Sequence, residues 1–193
     1  MSFLRHLPNV LTFSRIALIP LIVGCFYAAF PFSSFLAAGL LSLACLTDYI
    51  DGYLARTYQY VSKLGTFLDP IADKMLISIV LLALANEGIV QGFSLIPASL
   101  ILSREIMISG LREYLGLLRV ALPVSPFSKW KTAFQMVSLI ILFVSKEQTL
   151  SPHFQTLLVL LGTILLWLSA VLALITAYQY VRSSKGHLTD DVF

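Results

Sequence analysis

The chain has 193 residues, of which 58% are hydrophobic and only 12% are charged, and its formal net charge at pH 7 is +3. Together with a mean hydropathy of +0.88, this composition excludes an ordinary soluble domain and indicates an integral membrane protein. Because the net charge is small, the distribution of basic residues is more informative than their sum. The two cysteines, Cys25 and Cys45, lie in apolar runs and are expected to be small buried side chains without a disulfide.

The apolar segments predict an all-α membrane protein, a bundle of six transmembrane helices. The predicted spans cover residues 9–30, 34–56, 66–86, 93–117, 127–146 and 153–181. Residues 1–193 are expected to form one membrane domain without a separate soluble domain. No signal peptide is expected, because the first eight residues run into a span without a small-residue cleavage pattern.

The basic residues predict the orientation of this bundle. With both termini in the cytoplasm, all but one of the 13 Lys and Arg residues lie at the cytoplasmic face or on helix halves leading to it. Only Lys146 falls on the other side. The positive-inside rule therefore favours this topology.

The first span begins with a polar segment that has two interpretations. Asn9 could cap a helix after Pro8, with Arg15 as an interfacial anchor whose long side chain reaches toward water. Alternatively, Asn9, Thr12 and Arg15 point into a polar site. The residues alone leave both interpretations open.

Four carboxylates stand out in the second and third spans, at Asp48, Asp51, Asp69 and Asp73. Acidic residues within membrane helices are rare, costly and usually functional. The first two are three residues apart and the last two are four apart, so each pair lies on one face of its helix. An antiparallel hairpin turns both pairs toward one space, which predicts a polar cavity at the cytoplasmic side.

Hard carboxylate oxygens that converge in this way are ligands for Mg²⁺ or a similar cation. Two such ions about 3.5–4 Å apart can clamp the attacking and leaving oxygens of a phosphoryl displacement. Simple ion pairing with neighbouring basic residues accounts poorly for four carboxylates. A cation transporter, the rival class, is disfavoured because the outer halves of the spans lack matching acidic residues.

The connection between these two spans is predicted to be a short hairpin loop. Residues 57–65 are polar and end in glycine, which suits a turn between antiparallel helices. Thr66 is predicted to cap the next helix, which would place Pro70 within its first turn.

The fourth and fifth spans carry a basic cluster. Arg104 and Arg112 lie on one helix face with their guanidinium groups about 12 Å apart, and arginine suits bidentate capture of phosphate. Lys129 and Lys131 follow at the start of the fifth span. These residues could simply attract anionic lipid, but we favour a basic funnel for an anionic, water-soluble ligand. The sixth span has no charged residue and predicts only apolar packing.

Residues 48–73 resemble the signature of the CDP-alcohol phosphatidyltransferase family, and every fixed position is present. The pattern reads Asp48-x2-Asp51-Gly52-x2-Ala55-Arg56-x8-Gly65-x3-Asp69-x3-Asp73. Residues 8–15, 104–112 and 129–135 are similar to the PN-x-LT-x2-R, RE-x4-GLR and K-x-KT-x2-Q elements of the branch that makes phosphatidylglycerophosphate. Ser128 departs from this pattern, since glycine is expected before the first lysine.

This resemblance implies a metal-dependent transferase of phospholipid biosynthesis. It would move a phosphatidyl group from CDP-diacylglycerol to sn-glycerol 3-phosphate and release CMP. The alternative is the same chemistry with inositol, inositol phosphate, serine or phosphatidylglycerol as acceptor. The expected setting is a homodimer surrounded by lipid in a bacterial cytoplasmic membrane, with the active site facing the cytoplasm and no nucleic-acid partner.

The resemblance also assigns roles to individual residues. Two divalent cations, Mg²⁺ or alternatively Mn²⁺, would be held by Asp48, Asp51, Asp69 and Asp73, and Asp73 would also be the catalytic base. The CDP moiety would be bound by Asn9, Thr12, Asp48, Asp51, Gly52, Ala55, Arg56 and Gly65. The acceptor phosphate would be bound by Arg104, Arg112, Lys129 and Lys131.

Overall fold

The computed structural model describes the backbone of residues 2–28, 30–58, 63–117 and 126–188, and the side chains of 13–28, 30–48, 50, 68–117 and 127–184. The described residues form six long helices and no strand, which confirms the all-α prediction. These helices are α1 (Ser2–Tyr27), α2 (Ser33–Tyr58), α3 (Lys63–Asn86), α4 (Leu95–Leu117), α5 (Pro126–Val144) and α6 (Pro152–Leu188). A short 3₁₀ turn, Gly92–Ser94, precedes α4.

Three helical segments in the described ranges are long and apolar enough to cross a membrane, namely Gly92–Leu117, Phe127–Val144 and Pro152–Ser184. Phe13–Tyr27 and Ser33–Asp48 are also apolar but shorter. Large apolar side chains are exposed on the outside of the bundle; Leu82 is 64% exposed and Leu160 is 56% exposed. Lipid can cover such a surface where water could not, and the chain is therefore an integral membrane protein.

One of the two interpretations of Asn9 is excluded, and the predicted start of the third helix is wrong. α1 begins at Ser2, so Asn9 lies inside the helix and does not cap it. α3 begins at Lys63, so Thr66 is not a cap and Pro70 lies beyond the first turn. Proline removes only one backbone hydrogen bond, and membrane helices often tolerate that loss. The predicted loop 57–65 is correspondingly shorter, because residues 57, 58 and 63–65 are helical, while 59–62 lie outside the described residues.

Each of the six helices packs against at least two others. α1 packs against α2 and α3, α2 packs against α5, and α4 packs against α6. The core between them includes Ile22, Leu41 and Leu84, which are fully buried. Phe26 and Phe143 are also fully buried and stack near the ends of α1 and α5, with ring centroids 4.3 Å apart.

The closest helix pair is α5 and α6, which run antiparallel. The Ser138 hydroxyl donates a hydrogen bond to the Gly162 carbonyl at 2.7 Å, and the Ser169 hydroxyl donates to the Lys131 carbonyl at 3.3 Å. A Cβ atom added at Gly162 would lie 2.6 Å from Cδ2 and 2.7 Å from Cγ of Leu142. The absence of a side chain at this position therefore permits the close approach of the two helices.

We expect Gly162→Ala to destabilise the protein by about 1–3 kcal/mol, because the new methyl group overlaps a fully buried leucine. Gly39→Ala is the matched control: Gly39 is also helical, but no atom lies within 4 Å of an added Cβ. That substitution should be neutral or slightly stabilising. Thermal unfolding of both purified variants in detergent tests this, and equal melting temperatures would contradict the packing argument.

At the end of the bundle away from the aspartates, two charged residues tie the helices together. The Lys146 amine donates to the Phe26 carbonyl at 2.9 Å and pairs with Glu87 at 3.1 Å. The Glu147 carboxylate is buried and accepts the N–H of Phe32 at 3.3 Å. These groups border a cavity of about 560 Å³. Because both charged groups are already bound by the protein, we assign them a structural role.

Candidate active site

Three helices meet at a salt bridge between predicted site residues. Arg15 of α1 is fully buried, and its two terminal nitrogens contact different helices. Nη2 lies 2.8 Å from Oδ1 of Asp48 on α2, and Nη1 donates to Oδ1 of Asp73 on α3 at 2.6 Å. The Asp48 and Asp73 side chains remain 48% and 39% exposed. The guanidinium group therefore lies behind two carboxylates that stay accessible.

The other two aspartates belong to the same two helices. Asp69 precedes Asp73 by one helical turn on α3 and is partly buried. Asp51 follows Asp48 by three residues on α2, but its side chain lies outside the described residues. Three of the four predicted carboxylates can therefore be placed, and at least two of them come together.

The donors at this site are carboxylate oxygens from at least two helices. Among the side chains that the structure describes, no three acidic, histidine or cysteine groups form a cluster able to hold a metal ion. The site nevertheless offers hard oxygen donors, which Mg²⁺ prefers. Its two best-placed carboxylates, Asp48 and Asp73, already converge on one cationic group, the guanidinium of Arg15. The residues thus fit a divalent cation in charge and in donor type. A complete site would need a further ligand, and Asp51 on α2 could supply it.

A second polar feature, a cavity of about 150 Å³, lies between α3 and α4. Its lining includes three basic residues, Lys74, Arg104 and Arg112, together with the carboxylates of Glu105 and Glu113. Arg104 and Arg112 thus reach the same space, in agreement with their spacing in the sequence. The cavity and the aspartates share α3, because Pro70 and Lys74 of the lining follow Asp69 and Asp73 in the chain.

Glu105 connects the cavity to α5. Its Oε1 atom accepts hydrogen bonds from the Lys131 amine and, at 3.3 Å, from Nη1 of Arg104. Nη2 of Arg104 donates to the Thr176 hydroxyl on α6 at 3.1 Å. Arg104 and Lys131 are both almost completely buried, so this network fixes two cations beside the cavity. Arg112 is held differently, because its guanidinium stacks 5.5 Å from the ring centroid of Tyr180.

Lys129, the fourth basic residue predicted to bind the acceptor phosphate, lies away from the cavity. Lys129 lies on α5 two residues before Lys131, but its side chain is exposed and is not part of the cavity lining. Lys74, by contrast, lines the cavity and donates a hydrogen bond to the hydroxyl of Ser109 on α4. The structure thus brings Arg104, Arg112 and Lys131 together and adds Lys74 to the group.

Several predicted nucleotide-binding residues cannot be assessed at the level of side chains. They lie on α1, α2 and α3, but their side chains are outside the described residues: Asn9, Thr12, Asp51, Gly52, Ala55, Arg56 and Gly65. Their helices are nevertheless the three that meet at Arg15.

Two residues received no individual role in the sequence analysis, although both belong to the quoted motifs. Glu105 follows Arg104 in the RE-x4-GLR element, and the structure shows that it links Arg104 to Lys131. Gln135 ends the K-x-KT-x2-Q element on α5. It is fully buried, and neither its amide nitrogen nor its amide oxygen has a hydrogen-bond partner among the described residues. Buried polar groups without partners are uncommon in folded proteins.

Known proteins resemble this chain over most of its length. The family model for CDP-alcohol phosphatidyltransferase matches residues 5–175. The CDP-diacylglycerol–glycerol-3-phosphate 3-phosphatidyltransferase of Rickettsia bellii is 43% identical over 183 residues, covering 95% of this chain and 97% of that protein. The protein with the same name from Pseudomonas fluorescens is 36% identical, covering 96% of this chain and 93% of its own length.

A relative with a different name also matches. The cardiolipin synthase (CMP-forming) of Oryza sativa subsp. japonica is 36% identical over 190 residues, covering 93% of this chain and 57% of that protein. The family match extends over both the aspartate helices and the basic cavity. The chain belongs to the CDP-alcohol phosphatidyltransferase family.

Proposed function

We propose that the chain transfers the phosphatidyl group of CDP-diacylglycerol to sn-glycerol 3-phosphate, giving phosphatidylglycerophosphate and CMP. The observation that carries this proposal is that α3 contributes both to the paired carboxylates, through Asp73, and to the cation-lined cavity, through Pro70 and Lys74. A nucleotide diphosphate and an anionic acceptor could therefore meet at neighbouring sites. The relatives that match over nearly their whole length carry the name of this activity.

On the donor side, the CDP moiety would lie against α1, α2 and α3. Asn9, Thr12, Gly52, Ala55, Arg56 and Gly65 are the proposed contacts, with Asp48 and Asp51 beside the diphosphate. Asp48, Asp51, Asp69 and Asp73 would hold two divalent cations, Mg²⁺ or alternatively Mn²⁺. When bound, these ions would offset the charge of the diphosphate and of the departing CMP.

On the acceptor side, the phosphate of glycerol 3-phosphate would bind to Arg104, Arg112 and Lys131. Lys129, exposed on the same helix as Lys131, would attract the anion over a longer distance. The Asp73 carboxylate would take the proton from the acceptor hydroxyl as its oxygen attacks the β-phosphorus. Holding both substrates in this geometry would supply much of the rate, since orientation replaces a bimolecular encounter.

The proposed setting is a six-span homodimer with both termini in the cytoplasm of a bacterium. Support comes from the sequence, in which all but one of the 13 Lys and Arg residues are predicted to lie at the cytoplasmic face or on helix halves leading to it. The lipid donor carries its diphosphate at the membrane surface, so an active site at the cytoplasmic end would meet both the lipid and a water-soluble acceptor.

The alternative is the same chemistry with another acceptor, and the relative named cardiolipin synthase keeps it open. The small cavity with three basic residues favours a compact acceptor that carries its own phosphate. Purified protein supplied with CDP-diacylglycerol and each alcohol in turn separates the candidates. Rapid CMP release only with glycerol 3-phosphate supports the proposal, whereas release only with inositol, inositol phosphate, serine or phosphatidylglycerol overturns it.

We expect Arg112→Ala to raise the KM for glycerol 3-phosphate about 10-fold, because a charge-assisted hydrogen bond to phosphate is worth roughly 1.5 kcal/mol. The KM for CDP-diacylglycerol should change little. Arg182→Ala removes the same charge from the exposed side of α6 and is the control. Steady-state kinetics with each substrate varied in turn measures the effect. A selective loss of CDP-diacylglycerol binding would place Arg112 on the donor side instead.

A further inference from the structure

Arg15 has no assigned role in the proposed reaction, although it contacts two of the proposed metal ligands. It is fully buried, whereas the two carboxylates that it contacts are partly exposed. Two of its contacts use Oδ1 of Asp48 and Oδ1 of Asp73. The guanidinium therefore approaches from inside the bundle and leaves the accessible side of both carboxylates to a ligand.

The contact with Arg15 offsets the repulsion between the Asp48 and Asp73 carboxylates and sets the distance between them. Two ionised carboxylates that approach each other repel, and a cation between them offsets that repulsion. Arginine suits this task because it stays charged, and because its planar group offers two parallel donors at a fixed separation. Buried side chains have little freedom, so the fork also fixes the direction of each carboxylate.

We propose that Arg15 is a positioning residue that orients Asp48 and Asp73 as ligands for divalent cations. This inference rests on the proposed function, since it assumes that the aspartates bind metal. Partners of this kind, which hydrogen-bond to metal ligands, typically change metal affinity 10–100-fold when they are removed. Arg15 thus acts through the carboxylates and not by contact with the substrate.

Two other roles for Arg15 predict a different change in metal affinity when the residue is replaced. If Arg15 competed with metal for the same oxygens, its removal would tighten metal binding. If it served only to hold the helices together, folded variants would bind metal as the wild type does. Measuring the affinity for Mn²⁺ on the full-length protein, without acceptor, distinguishes these cases and does not depend on turnover.

The experiment compares Mn²⁺ binding to wild type, Arg15→Met, Arg15→Lys and Lys146→Met by calorimetry or by the EPR signal of free Mn²⁺. We expect Arg15→Met to weaken binding about 10–100-fold. Arg15→Lys, which keeps the charge but lacks the two-pronged contact, should weaken it less. Lys146→Met removes a cation at the opposite end of the bundle and should leave the affinity unchanged.

Each result has a distinct meaning. Unchanged or tighter binding in Arg15→Met overturns the inference. If that variant does not fold, Arg15→Lys decides: affinity equal to the wild type overturns the role of the fork, and a lower affinity in folded protein supports it. Failure of the wild type itself to bind Mn²⁺ refutes the metal site in the proposed function, a result that the Arg15 variants alone cannot produce.

Discussion

The Asp73→Asn protein is expected to release CMP about 10²–10⁴ times more slowly than the wild type at saturating Mg²⁺. The amide keeps an oxygen that can accept the hydrogen bond from Nη1 of Arg15, so the local contact can persist. It has no basic carboxylate to take a proton from the acceptor hydroxyl, and it is a poorer ligand for a hard cation. The effect should therefore appear in kcat.

The measurement is the initial rate of CMP release from CDP-diacylglycerol and glycerol 3-phosphate by purified protein. Glu87→Gln is the control, because it makes the same chemical change at the opposite end of the bundle. It should retain nearly full activity, given that its partner Lys146 still bonds to the Phe26 carbonyl. Turnover by Asp73→Asn close to the wild-type rate would reject Asp73 as the base.

The helices and the meeting of the aspartates could be predicted from sequence because both depend on local spacing. Apolar runs of about 20 residues indicate helices, and carboxylates three or four residues apart share a helix face. Asp48 and Asp73 converge through α1, which packs against both α2 and α3 and whose Arg15 contacts both carboxylates. The exact helix starts were less predictable, because Pro8 and Pro70 signal helix ends locally but are accommodated within longer helices.

The partners of the buried charges could not be predicted, because they depend on how distant helices pack. Arg15 could have been an interfacial anchor until α1 was seen to pack against both α2 and α3. The bond between Lys131 and Glu105 joins residues 26 positions apart, and that between Arg104 and Thr176 joins residues 72 apart. Side-chain chemistry suggests such pairs, but only the packing of α4, α5 and α6 selects among them.

This packing makes Lys131 the basic residue whose removal should have the largest effect. Its amine is almost completely buried and bonds to Glu105, which also contacts Arg104 beside the cavity. We expect Lys131→Met to raise the KM for glycerol 3-phosphate about 10–100-fold, because a buried cation interacts strongly with an anion. The variant should also be less stable by about 1–3 kcal/mol, since the Glu105 carboxylate loses a partner.

Two further variants separate acceptor binding from stability. Lys129→Met makes the same change two residues away on the exposed side of α5 and should alter KM no more than about fivefold, with an effect that salt screens. Adding Glu105→Gln to Lys131→Met removes the unpaired carboxylate and should restore the melting temperature while KM stays high. If the double variant recovered both, Lys131 would serve only to neutralise Glu105. The phosphate would then have to bind to Arg104, Arg112 and Lys74, the three basic residues that line the cavity itself.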